Sequence, residues 1–261
     1  MRNIGFKTLL IAITLLNFSA TPIDKTDFKL DVVVIDAGHG GRDPGTIGKN
    51  SKEKDIALKI ALKLGKYIEK NLPDVKVIYT RKDDSYLPYY ERPIIANKSK
   101  ADLFICIHAN ANPNVHAYGT ETFVMGTSKD EGNFEIAKRE NAVILYDENH
   151  QERYEGFDPN SPESYILFSL TQSAYQENSI RFAQKVEEQF KSKVGRNSRG
   201  VKQAGFLVLW RTAMPSVLIE TGFLTDVKEE KFLMTDNGQD LMASGIYRAF
   251  KEYKLHLQLL N

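Results

Sequence analysis

The chain has 261 residues and a formal net charge of +1 at pH 7, with 42% hydrophobic and 26% charged residues. This balance is typical of a folded protein of one ordinary domain, with or without an insertion, and it excludes a largely disordered chain. The near-neutral charge argues against a nucleic-acid partner. The single cysteine excludes an internal disulfide framework and a zinc site built from paired cysteines.

The first 25 residues have the layout of a secretory signal peptide. Arg2 and Lys7 precede an apolar run over residues 8–18, which the small residues Ser19 and Ala20 follow. A basic start, a short apolar centre and a small-residue cleavage zone define such peptides, and this run is too short to span a bilayer comfortably. The sequence predicts secretion across the inner membrane, a periplasmic or cell-wall location, and a mature chain of residues 26–261 without a transmembrane segment.

The mature chain alternates between strand and helix patterns. Apolar, β-branched runs predict strands at residues 31–36, 75–80, 103–108, 120–125, 208–210 and 217–220. Amphipathic patterns predict helices at residues 53–71, 91–100, 179–194 and 240–255. This alternation predicts an α/β fold, in which a single domain holds a mostly parallel, twisted sheet flanked by helices.

Residues 126–178 interrupt this rhythm, because the composition there turns polar and acidic. A connection of this length inside a compact domain is usually a lid or another functional insertion. We therefore expect an insertion within the domain rather than a second domain.

The densest basic stretch lies at residues 191–199 and contains Lys191, Lys193, Arg196 and Arg199. Gly195 and Ser198 interrupt it, which favours a solvated helix end and loop over a nucleic-acid site.

Four polar side chains fall at or just beyond the carboxyl ends of predicted strands, or on the helix that follows: His39, Glu53, His108 and Glu220. Ligands bind at that edge of an open α/β sheet. Two imidazoles and one carboxylate form a common catalytic zinc set with a fourth position for water, which leaves Glu220 as a candidate general base. Each residue alone also has a purely structural interpretation, so the hypothesis depends on all four meeting at one edge.

The sequence resembles the zinc-dependent N-acetylmuramoyl-L-alanine amidases, the amidase type 3 family, from about Asp31 to Tyr253. The segments that carry this resemblance are Val34-Ile-Asp-Ala-Gly-His-Gly-Gly41 with Asp43, Pro44 and Gly45; Glu53-Lys54; Thr80-Arg81 with Asp83 or Asp84 and Glu91-Arg92; Ser99 to Asn112 with His108-Ala-Asn-Ala111; and Val217-Leu-Ile-Glu-Thr-Gly-Phe223.

This resemblance implies a peptidoglycan hydrolase that cleaves the amide bond between N-acetylmuramic acid and L-alanine during cell-wall remodelling and daughter-cell separation. It implies that His39, Glu53 and His108 bind Zn²⁺ and that Glu220 is the catalytic acid and base. Cys106 departs from the family, in which a small polar residue often takes its place. It faces the same side of the strand as His108, and we expect it to pack as a small buried residue.

In the cell-separation subgroup of this family, an insertion carries a helix that covers the active site, and one of its glutamates blocks the zinc until an activator protein removes the helix. Residues 140–178 resemble that insertion, and the alternative is a solvated acidic loop. The acidic residues singled out there are Glu148, Glu152, Glu155 and Glu163, and the sequence does not identify which of them, if any, reaches the metal. Apolar residues that dock the helix or bind an activator are expected at Tyr165, Ile166, Phe168 and Leu170.

Two other functions fit the residues. A zinc peptidase or carboxypeptidase of similar fold would share the metal set, since substrate choice lies in loops. A non-catalytic wall-binding module is the other alternative, and the complete set of four side chains argues against it. A cysteine hydrolase that uses Cys106 and His108 is disfavoured, because the two lie two residues apart on one strand with no orienting third group.

Overall fold

The computed structural model describes residues 29–128, 130–169 and 175–260, so the predicted signal peptide and Leu170 lie outside the described residues. Its centre is a six-stranded sheet in the order β2-β1-β3-β6-β4-β5. The strands are β1 Val32–Ala37, β2 Lys76–Tyr79, β3 Leu103–Asn110, β4 Thr120–Met125, β5 Ser198–Ala204 and β6 Ser216–Phe223. Only the β4–β6 pair is antiparallel among these strands, which confirms the predicted α/β fold with a mostly parallel sheet.

The helices cover both faces of the sheet. They are α1 Glu53–Asn71, α2 Glu91–Lys98, α3 Glu131–Asn141, α4 His150–Arg153, α5 Pro162–Ser169, α6 Gln176–Gln189, α7 Leu207–Trp210, α8 Val227–Met234 and α9 Asp236–Leu260. Apolar residues of α1, α6 and α9 form the core on one face, and those of α2, α3, α5 and α7 form the core on the other. None of the described helices combines the length and the apolar composition needed to cross a membrane.

The prediction of a strand at residues 208–210 is wrong, because this segment belongs to α7. A run of three or four apolar residues has no periodicity that separates a buried strand from a buried helix. Here Leu207, Val208 and Leu209 are all buried in the core beneath α3 and α5.

The expectation of a helix end and loop at residues 191–199 is confirmed for the helix end and wrong for Arg199. Helical turns continue from α6 to Val194, and Gly195 ends them with a left-handed φ of 75°. The chain then enters β5 at Ser198, so Arg199 lies on an edge strand rather than in a loop.

The segment 126–178 carries α3, α4 and α5 and packs against the sheet face that holds His108. Its contacts with the rest of the domain include a hydrogen bond to Tyr86 and a ring contact with Trp210. The carboxylate of Asp147 accepts hydrogen bonds of 2.7 Å from both Tyr86 and Tyr154. Phe168 of α5 packs on Trp210 of α7 with 4.2 Å between ring centroids.

Candidate metal and catalytic site

His39 lies in the tight loop after β1, with an uncommon positive φ of 59°. Gly38 before it leaves room for another site residue, since an added Cβ there would lie 2.5 Å from Nε2 of His108. Nδ1 of His39 lies 2.7 Å from Oδ2 of Asp43, which orients the ring and directs Nε2 towards the sheet edge.

Glu53 is the first residue of α1, and the loop from β1 returns it to the same edge. Its Oε2 accepts a hydrogen bond of 2.7 Å from the Thr46 amide, and its Oε1 accepts one of 2.9 Å from the Ala109 amide. Oε1 also lies 2.8 Å from Nδ1 of His108 and 3.1 Å from Nε2 of His39. The structure therefore brings together the three side chains that the sequence singled out as metal ligands.

A fourth side chain, Glu140, completes this cluster. Ligand atoms of His39, Glu53, His108 and Glu140 all lie within 4.8 Å of one another, and all four residues are buried. Nε2 of His39 and Oε2 of Glu140 have no hydrogen-bond partner among the described residues, although each is buried. Buried polar atoms that converge without partners, in a set of imidazoles and carboxylates, fit a zinc-type cation.

The position of Glu140 places the insertion in the site. It lies in the last turn of α3, and its Oε2 is 3.3 Å from Nε2 of His39 and 3.3 Å from Nδ1 of His108. Its Oε1 accepts from the guanidinium of Arg139, at 3.0 Å from Nη2. Arg139 also donates to Oδ1 of Asn110 and to the carbonyl of Ala111, so it connects α3 to the loop after β3.

The four acidic residues singled out from the sequence of the insertion are all exposed, and none belongs to the cluster: Glu148, Glu152, Glu155 and Glu163. One pattern in the sequence indicates Glu140 instead. Ile136 and Ala137 lie four and three residues before it and face the core, so Glu140 falls on the apolar side of an amphipathic helix.

Glu220 lies on β6, opposite His108 of β3 and opposite Glu121 of β4. It is fully buried, and neither of its carboxylate oxygens has a hydrogen-bond partner among the described residues. Burial is the main cause that raises the pKa of Glu220 well above its usual range, and the negative charge of Glu140 adds to it. Glu220 stands beside the metal-type cluster without belonging to it.

The carboxylates of the cluster control the charge on His39. Burial disfavours its protonated form, but the Glu53 carboxylate, the hydrogen bond to Asp43 and the nearby Glu140 carboxylate outweigh burial and raise the pKa of His39 well above its usual range. The imidazole thus lies in a strongly negative field, which is the environment that attracts a cation.

Cys106 takes no part in the cluster. It is fully buried, and its thiol donates to Oδ2 of Asp36 at 2.9 Å. Burial, with the adjacent Asp36 carboxylate, raises the pKa of Cys106 to about 12. Asp36 in turn pairs with the buried guanidinium of Arg92 at 3.0 Å.

Glu121 is another buried carboxylate, and it lies on β4 directly opposite Glu220 of β6. Its Oε1 accepts from Nε of Arg199 and, at 2.9 Å, from Nζ of Lys202. Asn110 approaches its other oxygen at 3.4 Å. No pattern in the sequence indicates this group, because it depends on the pairing of β4 with β5 and β6.

The chain is similar in sequence to known amidases. A family model described as N-acetylmuramoyl-L-alanine amidase matches residues 33–252. The chain is 33% identical to N-acetylmuramoyl-L-alanine amidase AmiC of Escherichia coli O6:H1, over 85% of this chain and 52% of that protein. It is 34% identical to AmiA of Escherichia coli K12, over 85% of this chain and 75% of that protein. The chain thus spans about half the length of AmiC and about three quarters of AmiA.

Solved structures agree with these relatives. The crystal structure of an N-acetylmuramoyl-L-alanine amidase from Clostridium difficile 630 has a TM-score of 0.65 and 32% identity, and covers 86% of this chain and 97% of that one. The CwlD amidase from Clostridioides difficile, solved in complex with the GerS lipoprotein, has a TM-score of 0.62 and 29% identity. This match covers 85% of this chain and 98% of the CwlD chain.

Proposed function

This chain belongs to the N-acetylmuramoyl-L-alanine amidase family. From that premise we propose that it is a peptidoglycan amidase and that it works with a zinc ion held by His39, Glu53 and His108. The bond hydrolysed joins N-acetylmuramic acid to L-alanine. The observation that carries the metal proposal is the convergence of buried imidazoles and carboxylates from distant stretches of chain. Nε2 of His39 and Oε2 of Glu140 are left without a hydrogen-bond partner among the described residues.

We propose Glu220 as the acid and base of this reaction. Zinc at the site supplies Lewis acidity towards water and towards the substrate carbonyl. Glu220 lies one strand from His108 with no hydrogen bond of its own among the described residues. It can therefore accept a proton from the attacking water and pass it to the departing alanine nitrogen. Asp43 and the Thr46 and Ala109 amides keep His39 and Glu53 in place during these steps.

We propose further that the insertion inhibits the enzyme. Glu140 lies against both imidazoles, and Arg139 holds its carboxylate there. A carboxylate in this place would exclude water and the scissile carbonyl from the metal. The cavity beside the cluster has one wall from the β1–α1 loop and one from residues 139–146. Substrate can enter only when α3 moves away, so turnover requires an open form.

An activator protein would stabilise that open form by binding the insertion. Ile166 and Leu167 of α5 are 54% and 63% exposed, and they form an apolar surface that such a partner can cover. Tyr165 and Phe168 are instead buried and dock α5 on the domain. Of the two roles expected from the sequence, docking therefore fits Tyr165 and Phe168, and activator binding fits Ile166. We propose a periplasmic or cell-wall location, reached through the predicted signal peptide, because the substrate lies there.

Digestion of purified sacculi with mass analysis of the products tests the proposal. Release of intact stem peptides that begin with L-alanine supports it, and shortened stems would instead identify a zinc peptidase or carboxypeptidase. A protein that binds sacculi and releases nothing, even with Glu140 replaced by alanine, would be a wall-binding module. Metal analysis of the same preparation tests for zinc.

A further inference from the structure

Arg199 lies in the row of charged side chains that crosses the sheet beside Glu220. Glu220 and Glu121 are directly opposite in the antiparallel β4–β6 pair, so their side chains share a face. Arg199, on the next strand, donates its Nε to Glu121. Adjacent strands are about 4.8 Å apart, so the guanidinium lies roughly 5–10 Å from the Glu220 carboxylate.

The guanidinium is held firmly, yet much of its hydrogen-bonding capacity is unused. Its Nε bonds to Glu121, and its central carbon lies 5.2 Å from the centroid of the Phe223 ring. Neither Nη atom donates to any described residue, and the side chain is 36% exposed. A fixed guanidinium with a free pair of N–H groups is the geometry that binds a carboxylate in a bidentate manner.

The local charge also favours an anion. Arg199 and Lys202 both contact one oxygen of Glu121, so two cations share a single carboxylate. Lys202 bonds to Glu121 at 2.9 Å and lies over the Phe123 ring, 5.9 Å from its centroid. Arg199, Lys202 and Glu121 together therefore carry one positive charge, on the side of the site away from His39.

Carboxylates lie on only one side of the scissile bond of the substrate. The lactyl carboxyl is part of the amide that is cleaved, and the N-acetyl group is neutral. The second stem residue is D-glutamate linked through its γ-carboxyl, so its α-carboxylate is free. That group lies about two residues, roughly 7 Å, from the scissile carbon in an extended stem.

These distances and charges match, and we propose that Arg199 binds the α-carboxylate of the second stem residue. The proposal rests on the amidase function described above and adds a specificity determinant to it. The stem peptide then extends over β4 and β5, and the glycan lies towards the β1 loop and His39. Stems in which this carboxylate is amidated lose the charge that Arg199 recognises, so they are poorer substrates.

The test uses sacculi in which only part of the D-glutamate α-carboxylates are amidated. Both substrates are then present in one polymer. All variants carry Glu140→Ala so that the site is open. The ratio of acid to amide among the first stem peptides released, divided by the ratio in the polymer, measures the discrimination.

The parent in this test is the Glu140→Ala protein. It is expected to favour the acid form by about 10-fold or more, as a charge-assisted hydrogen bond implies. Arg199→Gln should bring the ratio close to one by slowing release of the acid form alone, and Arg199→Lys should retain part of the preference. Arg181→Gln is the matched control, because Arg181 is 35% exposed and lies on α6, on the opposite face of the sheet. It should leave the discrimination unchanged.

The proposal would be overturned if the Glu140→Ala parent released acid and amidated stems without preference. It would also be overturned if Arg199→Gln slowed the release of both stem forms equally. A loss of discrimination in Lys202→Gln but not in Arg199→Gln would assign the carboxylate to the other cation and would also overturn it. Failure of the parent to release any stem peptide would contradict the amidase function itself, which is a separate result.

Discussion

Oε2 of Glu140 lies 3.3 Å from Nε2 of His39, so a carboxylate of the insertion occupies the same cluster as a side chain of the sheet edge. The two residues are 101 positions apart in the sequence (140 − 39), and α3 has to fold back over the site to bring them together. This contact makes the insertion part of the proposed active site, and it is the basis of the first prediction.

Glu140→Ala should raise the basal rate of sacculus digestion by about tenfold or more, because it removes the carboxylate that competes for the cluster. Zinc content should not fall, since His39, Glu53 and His108 remain. Glu135→Ala is the matched control, because Glu135 lies on the same helix but is exposed. An unchanged basal rate in a folded Glu140→Ala protein contradicts self-inhibition.

Glu220→Gln should retain zinc but lose turnover by about 10²- to 10⁴-fold, the usual contribution of a general acid or base. His108→Ala should lose both zinc and activity. Metal analysis and sacculus digestion on the two variants separate these roles. Wild-type turnover in Glu220→Gln would remove Glu220 from the mechanism.

Asp147→Asn should weaken the attachment of the insertion, because the buried carboxylate accepts hydrogen bonds from Tyr86 and Tyr154. A loss of about 1–2 kcal/mol corresponds to a 5- to 30-fold larger open population. Hydrogen exchange over residues 131–169 and the basal rate should both increase. Asp158→Asn, at an exposed position of the same insertion, should change neither.

Asp36→Asn should lower the free energy of unfolding at pH 7 by about 3–5 kcal/mol, because it leaves the buried Arg92 guanidinium without its counterion. Burial opposes ionisation, but Arg92 and hydrogen bonds from Cys106 and Thr80 keep the pKa of Asp36 below its ordinary value of 3.8. The stabilisation is therefore complete above that value, and it is lost as the pH falls through the lower pKa of the folded state.

Urea titrations of the parent and of Asp36→Asn should thus differ most near neutral pH and converge in acid. Asp236→Asn breaks the exposed pair with Lys63 and serves as the control, which should unfold like the parent. A constant difference at all pH values would show that the charge of Asp36 is not the cause.

The thiol of Cys106 should resist alkylation in the native protein. With its pKa raised to about 12, only about one molecule in 10⁴ carries the reactive thiolate at pH 8, and the side chain is fully buried. Mass spectrometry after iodoacetamide treatment should find the thiol free in buffer and fully modified in urea. Rapid labelling under native conditions would contradict the packing seen around Asp36.

The sheet-edge part of the site was predictable because its cues are local. His39 and His108 follow β-branched runs, Glu53 begins an amphipathic helix, and Glu220 lies near the end of an apolar strand. Parallel strands bring their carboxyl ends to one edge whatever the loops do. The strand order and the pairing of His108 with Glu220 were not needed to predict that these residues meet.

The roles of Glu140 and Arg199 were not predictable, because they depend on how distant segments pack. The helical pattern places Glu140 on the core side of α3 but does not show what it meets there. Glu140 reaches the cluster only when α3 lies across the ends of β1 and β3. Arg199 gains its position only when β5 pairs with β4. The strand prediction for Val208–Trp210 was wrong for a related reason. The conformation of this segment is set by the core that it packs against and not by its own composition.

The contact of Phe168 with Trp210 joins the insertion to the sheet-bound part of the molecule, and Trp210 is the sole tryptophan of the chain. Tryptophan fluorescence depends on the rings and the water around the indole. Movement of α5 away from Trp210 should therefore shift the emission wavelength of the protein. Each molecule therefore carries its own optical indicator of lid opening, which can be followed in a stopped-flow fluorimeter without any attached dye.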